Sequence, residues 1–280
     1  LMRQHPQLFL PEHKEPHFFT GCQSGLSSLG LQTPERWITD PEVYANLFAA
    51  ANAKQRLGEA STTYLRFPEL VVPRLQEAYG DRHRQLKILI VLRNPIDRAY
   101  SHYQYLVRNG HETLPFEQAL DPDVIRQREQ ERWGFNYLAT GMYREQVEAY
   151  RKVFPQVKVW LFEELRDAAA LTAEVWDFLE VGPHRPKAVA ANPSGVPRHR
   201  GVTRFTVGDH WVKRALKAVL PACARQQLRT QKHRLLQQQL EKQPMSEEAR
   251  AFLTGHYKEE INHLQDLLQR DLTHWLTATP

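Results

Sequence analysis

The chain has 280 residues, with 25% charged and 41% hydrophobic side chains and a formal net charge of +5. That composition excludes a disordered chain and leaves room for one large α/β domain or a core with a helical extension. Two cysteines, Cys22 and Cys223, exclude a disulfide framework and predict a reducing, cytoplasmic setting. No apolar run approaches membrane-spanning length, and no signal-peptide core opens the chain.

In chain order, His5-Pro6 ends a helical approach. Glu15 and His17 then flank Pro16 in Lys14-Glu15-Pro16-His17-Phe18-Phe19. Proline predicts an extended backbone, which sets both side chains on one side, where a carboxylate and an imidazole make a general-base pair. The bland alternative is a solvated loop with Phe18 and Phe19 plugging the core, and this hexamer alone favours it. Residues 21–40, rich in Gly, Ser, Gln and Thr, predict a mobile substrate loop. Asp40 and Pro41 open a helix running to Gln55 with Val43, Leu47, Phe48 and Ala51 on one face. Leu57 to Leu65 predicts a short strand, with Tyr64 at its end either in the core or lining a cleft. Pro68 to Tyr79 predicts a helix.

Leu86 to Leu92 is an apolar run broken only by Lys87, which predicts a strand buried on both faces. A helix start follows at once: Asn94 caps, Pro95 takes the first helical position, and Asp97 stands where a capping-box carboxylate belongs. Arg93 therefore falls where a strand ends and a helix begins, the place where α/β folds hold anions. Ser101, four residues after Asp97, offers a hydroxyl to the same anion. A surface ion pair is the competing explanation for Arg93 alone.

His111 to Arg132 alternates acid and base, the pattern of a solvated helix without a catalytic role. Gly141 to Phe154 predicts a helix, Val157 to Phe162 a strand ending in a structural Glu163-Glu164 pair, and Leu171 to Val181 a helix. Asn192 to Gly201 predicts a loop that concentrates donors at Arg198, His199 and Arg200. From Val202 the pattern is helical, with a basic, Gln-rich stretch from Arg225 to Lys242. Ser246 caps a last helix striped by Phe252, Tyr257, Ile261, Leu264 and Leu268. There is no internal repeat and no His/Cys spacing typical of a metal site.

Strand, Arg93, Asn94-Pro95, Asp97-Arg98 and Ser101 together resemble the 3′-phosphate-binding segment of sulfotransferases that use 3′-phosphoadenosine 5′-phosphosulfate (PAPS). The order His-Pro, Lys-Glu, His-Phe-Phe resembles heparan-type and related members. Gly58-Glu59, Ser61 and Tyr64 resemble their GE-K-S-x-x-Y turn, with Ala60 where many relatives place a lysine, a departure that argues against a sulfated-polysaccharide acceptor like theirs. The end, LLQRDLTHWL, is similar to a terminal motif of bacterial sulfotransferases. The resemblance implies a three-layer, P-loop-like parallel sheet flanked by helices, one domain over 1–280, with residues 1–200 as the α/β core and 201–280 as a helical extension.

It implies Glu15 as the base that deprotonates the acceptor hydroxyl, with His17 positioning the acceptor or the sulfuryl group. It implies Arg93, Ser101, Arg198, His199 and Arg200 around the 3′-phosphate, and Tyr64 at the acceptor cleft. The acceptor expected is a polysaccharide, a small alcohol or a carrier-bound hydroxyacyl chain, with no metal, nucleic acid or membrane involved. Such enzymes begin with a strand and a K-x-G-T-T-like loop around the 5′-phosphosulfate. The resemblance starts downstream of it, and Leu1-Met2 is not a natural-looking start. The expectation is therefore a fragment or excised domain that binds PAPS less well than one carrying the loop. Two rivals stand beside this reading: a nucleotide kinase-like enzyme, which needs a Walker loop and magnesium ligands that are not visible here, and a non-catalytic basic module that binds a polyanion.

Overall fold

The computed structural model describes residues 1–187, 196–197, 240–241 and 243–277. The expectations for Cys223, for Arg198, His199 and Arg200, and for the basic stretch 225–242 apart from 240–241, lie outside the described residues.

The chain is mixed α/β, and its central feature is the parallel pair β3 (Lys87–Leu92) and β4 (Gln156–Leu161), in register from Lys87 opposite Gln156 to Leu92 opposite Leu161. Ile88, Ile90 and Leu92 alternate to one face. There they pack with Ile96, Ala99 and Tyr103 of α5 (Pro95–Arg108), Tyr143 and Val147 of α8 (Tyr143–Val153), and Leu253, Tyr257, Ile261 and Leu264 of α10 (Glu247–Leu268). Leu89 and Trp160 turn to the other face and meet Val175, Trp176 and Leu179 of α9 (Ala168–Leu179). Helices lie on both faces of this pair, but the expected burial on both faces holds only in part: Ile90 and Leu92 are buried, whereas Val91, on the Leu89 face, is 50% exposed.

β1 (Leu8–Phe9) and β2 (Arg56–Leu57) form a second parallel pair, and β5 (Val196–Pro197) and β6 (Leu240–Glu241) an antiparallel one. The described strands therefore pair in twos, and the broad parallel sheet expected from the resemblance is not among them. Of the strand expected over 57–65, only Leu57 lies in a strand, as the second residue of β2. Thr63–Arg66 instead makes a helical turn, α3, directly before α4 (Pro68–Tyr79).

Several sequence signals act as read. Asp40 Oδ1 accepts the Glu42 and Val43 amides at 2.8 and 3.0 Å and starts α2, which stops early, at Pro41–Asn46. Ser246 Oγ accepts the Ala249 amide at 3.2 Å and starts α10. Among the residues expected along the α10 stripe, Tyr257, Ile261 and Leu264 are buried, whereas Phe252 is exposed. α10 belongs to the same core as β3 and α5. No helix of the described residues is long and apolar enough to cross a membrane.

The solvated helix expected over 111–132 is corrected. It is two short helices, α6 (Phe116–Ala119) and α7 (Pro122–Arg128), wrapped around a carboxylate that is withdrawn from solvent. Glu112 accepts from the Thr113 and Leu114 amides at 2.7 and 2.9 Å, from both Arg128 terminal nitrogens at 3.1 and 2.9 Å, and from the Tyr137 hydroxyl at 2.6 Å. Five donors satisfy an ionised carboxylate, which is what makes its burial tolerable.

Gly141 shows how tightly α10 and α5 close on each other. A Cβ there would lie 2.7 Å from the Tyr257 hydroxyl, 2.8 Å from Tyr257 Cζ and 2.9 Å from Pro95 Cβ. Gly141→Ala is expected to destabilise the fold by about 1–3 kcal/mol, read as a lower urea midpoint with an unchanged slope.

Candidate active site

The segment bearing Glu15 and His17 is not extended. Both residues have left-handed backbone, φ of 51° and 54°, on either side of Pro16. This conformation costs a non-glycine residue about 1–3 kcal/mol and concentrates at functional sites. The expected convergence is reached by this different route: Glu15 Oε2 lies 3.3 Å from His17 Nε2. Glu15 is half-exposed above a buried imidazole, while Phe18 and Phe19 plug the core beneath.

The Glu15 carboxylate, which can only accept, calls for a proton on His17 Nε2. His17 Nδ1 is 2.8 Å from Thr63 Oγ1, which is 2.9 Å from Thr20 Oγ1. With Nε2–H donating to Glu15, Nδ1 accepts from the Thr63 hydroxyl, and the Thr63 oxygen accepts from the Thr20 hydroxyl. The chain of donors runs one way and ends on the carboxylate. The Thr62 hydroxyl adds a second bond to Glu15 Oε2 at 3.0 Å. The hydrogen bond from His17 is the main reason the Glu15 carboxyl titrates below its usual range. Partial burial opposes that shift, and Thr62 and the nearby Arg36 charge reinforce it.

Ser61 Oγ accepts the His17 amide at 3.0 Å and donates to Glu59 Oε2 at 3.1 Å. Burial pushes the Glu59 carboxyl up, although Tyr64, Ser61 and Tyr44 all hydrogen-bond it. Tyr64 is half-buried among Phe19 and its neighbours. Its hydroxyl accepts the Phe19 amide at 3.2 Å, and burial beside Glu59 pushes its pKa far up. Trp37 closes the other side. Its ring stacks on His17, with centroids 4.5 Å apart, and the Ile38 amide bonds the Pro16 carbonyl at 3.0 Å. The loop expected to be mobile is thus anchored by buried Leu26 and Trp37.

Arg93 lies, as read, directly after β3 and before α5. Asn94 Oδ1 accepts the Ile96 amide at 3.0 Å, and Asn94 Nδ2 donates to the Trp275 carbonyl at 3.0 Å. Asp97 does not close a capping box but pairs with Arg250 of α10 at 3.3 Å. Glu163 and Glu164 are structural, as expected. Glu163 accepts from Trp275 Nε1 and contacts His274 Nε2, both at 2.8 Å, and Glu164 takes both Arg270 terminal nitrogens. The terminal RDLTHW segment is therefore the brace that joins the end of β4 to the cap of α5.

The Arg93 guanidinium rests over the half-exposed Phe162 ring, 5.2 Å from its centroid. No carboxylate pairs with it among the described residues. Ser101 is half-buried on α5, on the face shared with Asp97, and β5 lies against the same helix. α8 links the two halves of the site. Its Tyr143 hydroxyl donates to the Arg93 carbonyl at 3.0 Å, and its Tyr150 hydroxyl donates to the Tyr64 carbonyl at 2.7 Å. Seven residues of helix separate these tyrosines by about 10 Å.

Sequence reasoning gave no role to Thr62, Thr63 and Trp37, and took Ser61 only as part of a motif. The run of hydroxyls Ser61-Thr62-Thr63 was the available signal for the two threonines. For Trp37 there was none. Among the described residues, no group of three or more His, Cys, Asp or Glu side chains is placed to hold a metal ion.

By structure the chain is similar to a sulfotransferase from Alicyclobacillus acidocaldarius. The TM-score is 0.68 and the sequence identity 29%, with 99% of this chain and 91% of that chain covered. No family model matches the chain, and no curated protein matches it. The mixed α/β fold and this likeness support a sulfotransferase-like function.

Proposed function

We propose that the chain transfers a sulfuryl group from PAPS to an alcohol. The observation that carries the reading is the Glu15–His17 pair, 3.3 Å apart on strained backbone, with the Thr63 and Thr20 hydroxyls hydrogen-bonded in line behind the imidazole. In this reaction the acceptor O–H gives its proton to Glu15, and the oxygen forms a bond to sulfur. The sulfur–oxygen bond to the donor phosphate breaks, and 3′-phosphoadenosine 5′-phosphate (PAP) departs with the electron pair. Glu15 is ionised at neutral pH, its carboxyl titrating below the usual range, and its position rather than its basicity suits it to take the proton. His17 orients it. Arg93, with no acid to neutralise it among the described residues, supplies a forked donor for the 3′-phosphate. Ser101 of α5 adds a hydroxyl, and Arg198, His199 and Arg200, which follow β5 in sequence, complete the grip. Tyr64 borders the acceptor. Tyr143 and Tyr150 tie the two half-sites to one rigid helix, about 10 Å apart along its axis, and a rigid tie of this kind holds the donor's phosphate in place while the acceptor hydroxyl meets Glu15.

Calorimetric titration of PAP into the full-length protein tests this. Arg93→Gln is expected to weaken PAP binding by about ten- to a hundredfold, the scale of a charge-assisted hydrogen bond. Unaltered PAP affinity in Arg93→Gln, or no binding by the unmutated protein, would remove the PAP-binding assignment.

A further inference from the structure

Two arginines beside the Glu15–His17 pair are left unexplained by either half-site. The Ile38–Pro16 hydrogen bond sets Trp37 on His17, and Trp37 in turn contacts Trp133, with ring centroids 6.4 Å apart. Arg36 immediately precedes the first tryptophan and Arg132 the second, so this contact brings the two cation-bearing segments together on the Trp37 side of His17, with Arg36 the one whose charge reaches Glu15. Arg36 is exposed and Arg132 half-buried. Neither is within ion-pair distance of a carboxylate among the described residues.

Their fields overlap. Burial pulls the Arg132 pKa down, and Arg36 pulls it further. His111 is pulled down first by burial, then by Arg132 and Arg36. Arg36 also reaches Glu15. Two guanidiniums that repel one another weaken the fold, and the His111 imidazole beside them is driven toward its neutral form; folding gains nothing visible from placing the two cations together. A second observation marks the same spot: Trp37 is 5% exposed, and its indole Nε1 is buried with no hydrogen-bond partner. The unpaired donor belongs to the ring that stacks on His17, and nothing among the described residues accepts from it.

Resting on the transferase reading, we infer that Arg36 and Arg132 bind an anionic group, a carboxylate or a phosphoryl, on the acceptor alcohol. The guanidinium fork matches either anion. The half-exposed Trp133 edge supplies apolar contact for the carbon skeleton between the anion and the hydroxyl. The acceptor class is therefore an acidic alcohol rather than a neutral one, and these residues select it by charge. The hydroxyl is presented to Glu15 while the anion is held one aromatic layer away.

Phenyl phosphate, an anion on an apolar ring, is the probe. Its binding to the full-length protein is followed by tryptophan fluorescence and by calorimetry. Saturable binding is expected, weakened about tenfold by Arg36→Gln and by Arg132→Gln separately, the scale of one charge-assisted hydrogen bond. Saturating PAP, which fills the Arg93 half-site, should leave this Arg36- and Arg132-dependent binding in place, and phenol, which lacks the anion, should bind far less well. No saturation in the millimolar range, equal binding in the Arg36 and Arg132 variants, or complete loss on adding PAP would each overturn the inference. Binding that depends on Arg36 and Arg132 in a protein that fails to bind PAP would keep the anion site and discard the transferase reading.

Discussion

Glu15→Gln is expected to lower kcat by about 10²- to 10⁴-fold, the contribution of a positioned general base, while PAP binds as before. Glutamine keeps the size of the side chain and can still meet Thr62 and His17, so the left-handed turn survives and only the proton acceptor is removed. The pH profile carries a sharper sign. The active base is the ionised carboxylate, and the His17 hydrogen bond holds its pKa below the usual value of 4.5. The rate should therefore stay level from neutral pH down past 4.5 and fall only as the lower pKa is crossed. Residual Glu15→Gln activity should show no such acid limb. If PAP affinity and turnover fall together, Glu15 holds the loop rather than the proton.

Arg128→Met should be the most destabilising single change at a position remote from the site. It leaves the Glu112 carboxylate, whose side chain is 0% exposed, without its counter-charge. Breaking a buried pair this way costs about 3–5 kcal/mol. The Arg128 guanidinium also lies 3.9 Å from the centroid of the Phe135 ring, so Arg128→Lys, which keeps the charge but loses the fork and the stack, should fall between. Burial alone would raise the Glu112 pKa, but the bonds from Arg128 and Tyr137 outweigh it and depress it. The stability this group contributes is fully present above the unfolded carboxyl range and is lost as the pH falls through its lower folded pKa. In Arg128→Met the same carboxyl should titrate upward, so the deficit against the unmutated protein should shrink in acid. Urea midpoints at several pH values measure both effects, and a deficit that does not change with pH would sink the account.

The parts of this molecule that could be read in the sequence are those whose partners are close along the chain. Asn94-Pro95 after an apolar strand specifies the β3–α5 junction, because the cap bond spans only two residues. Ser246 and its stripe specify α10 for the same reason. The Glu15–His17 convergence was legible as a two-residue spacing, but its left-handed route was not, since two positive φ values around a proline follow from tertiary packing against Trp37 and Ser61. Glu112 looked like one more surface charge because Arg128 and Tyr137 stand 16 and 25 positions away. The Trp37 stack likewise depends on a loop folding back over twenty residues. Asp97 fits the capping-box spacing, yet the cation that claims it lies 153 positions later.

The brace between Trp275 and Asn94 has a consequence for biosynthesis. Its two ends are 181 residues apart, so at about 5–20 residues per second the start of α5 waits on the order of ten to thirty-five seconds for its last contact. During that interval on the ribosome, β3 and α5 have emerged but α10, which buries their apolar face, has not. A nascent chain halted before Leu253 should be the species that chaperones capture, and release of the final stretch should be what frees it.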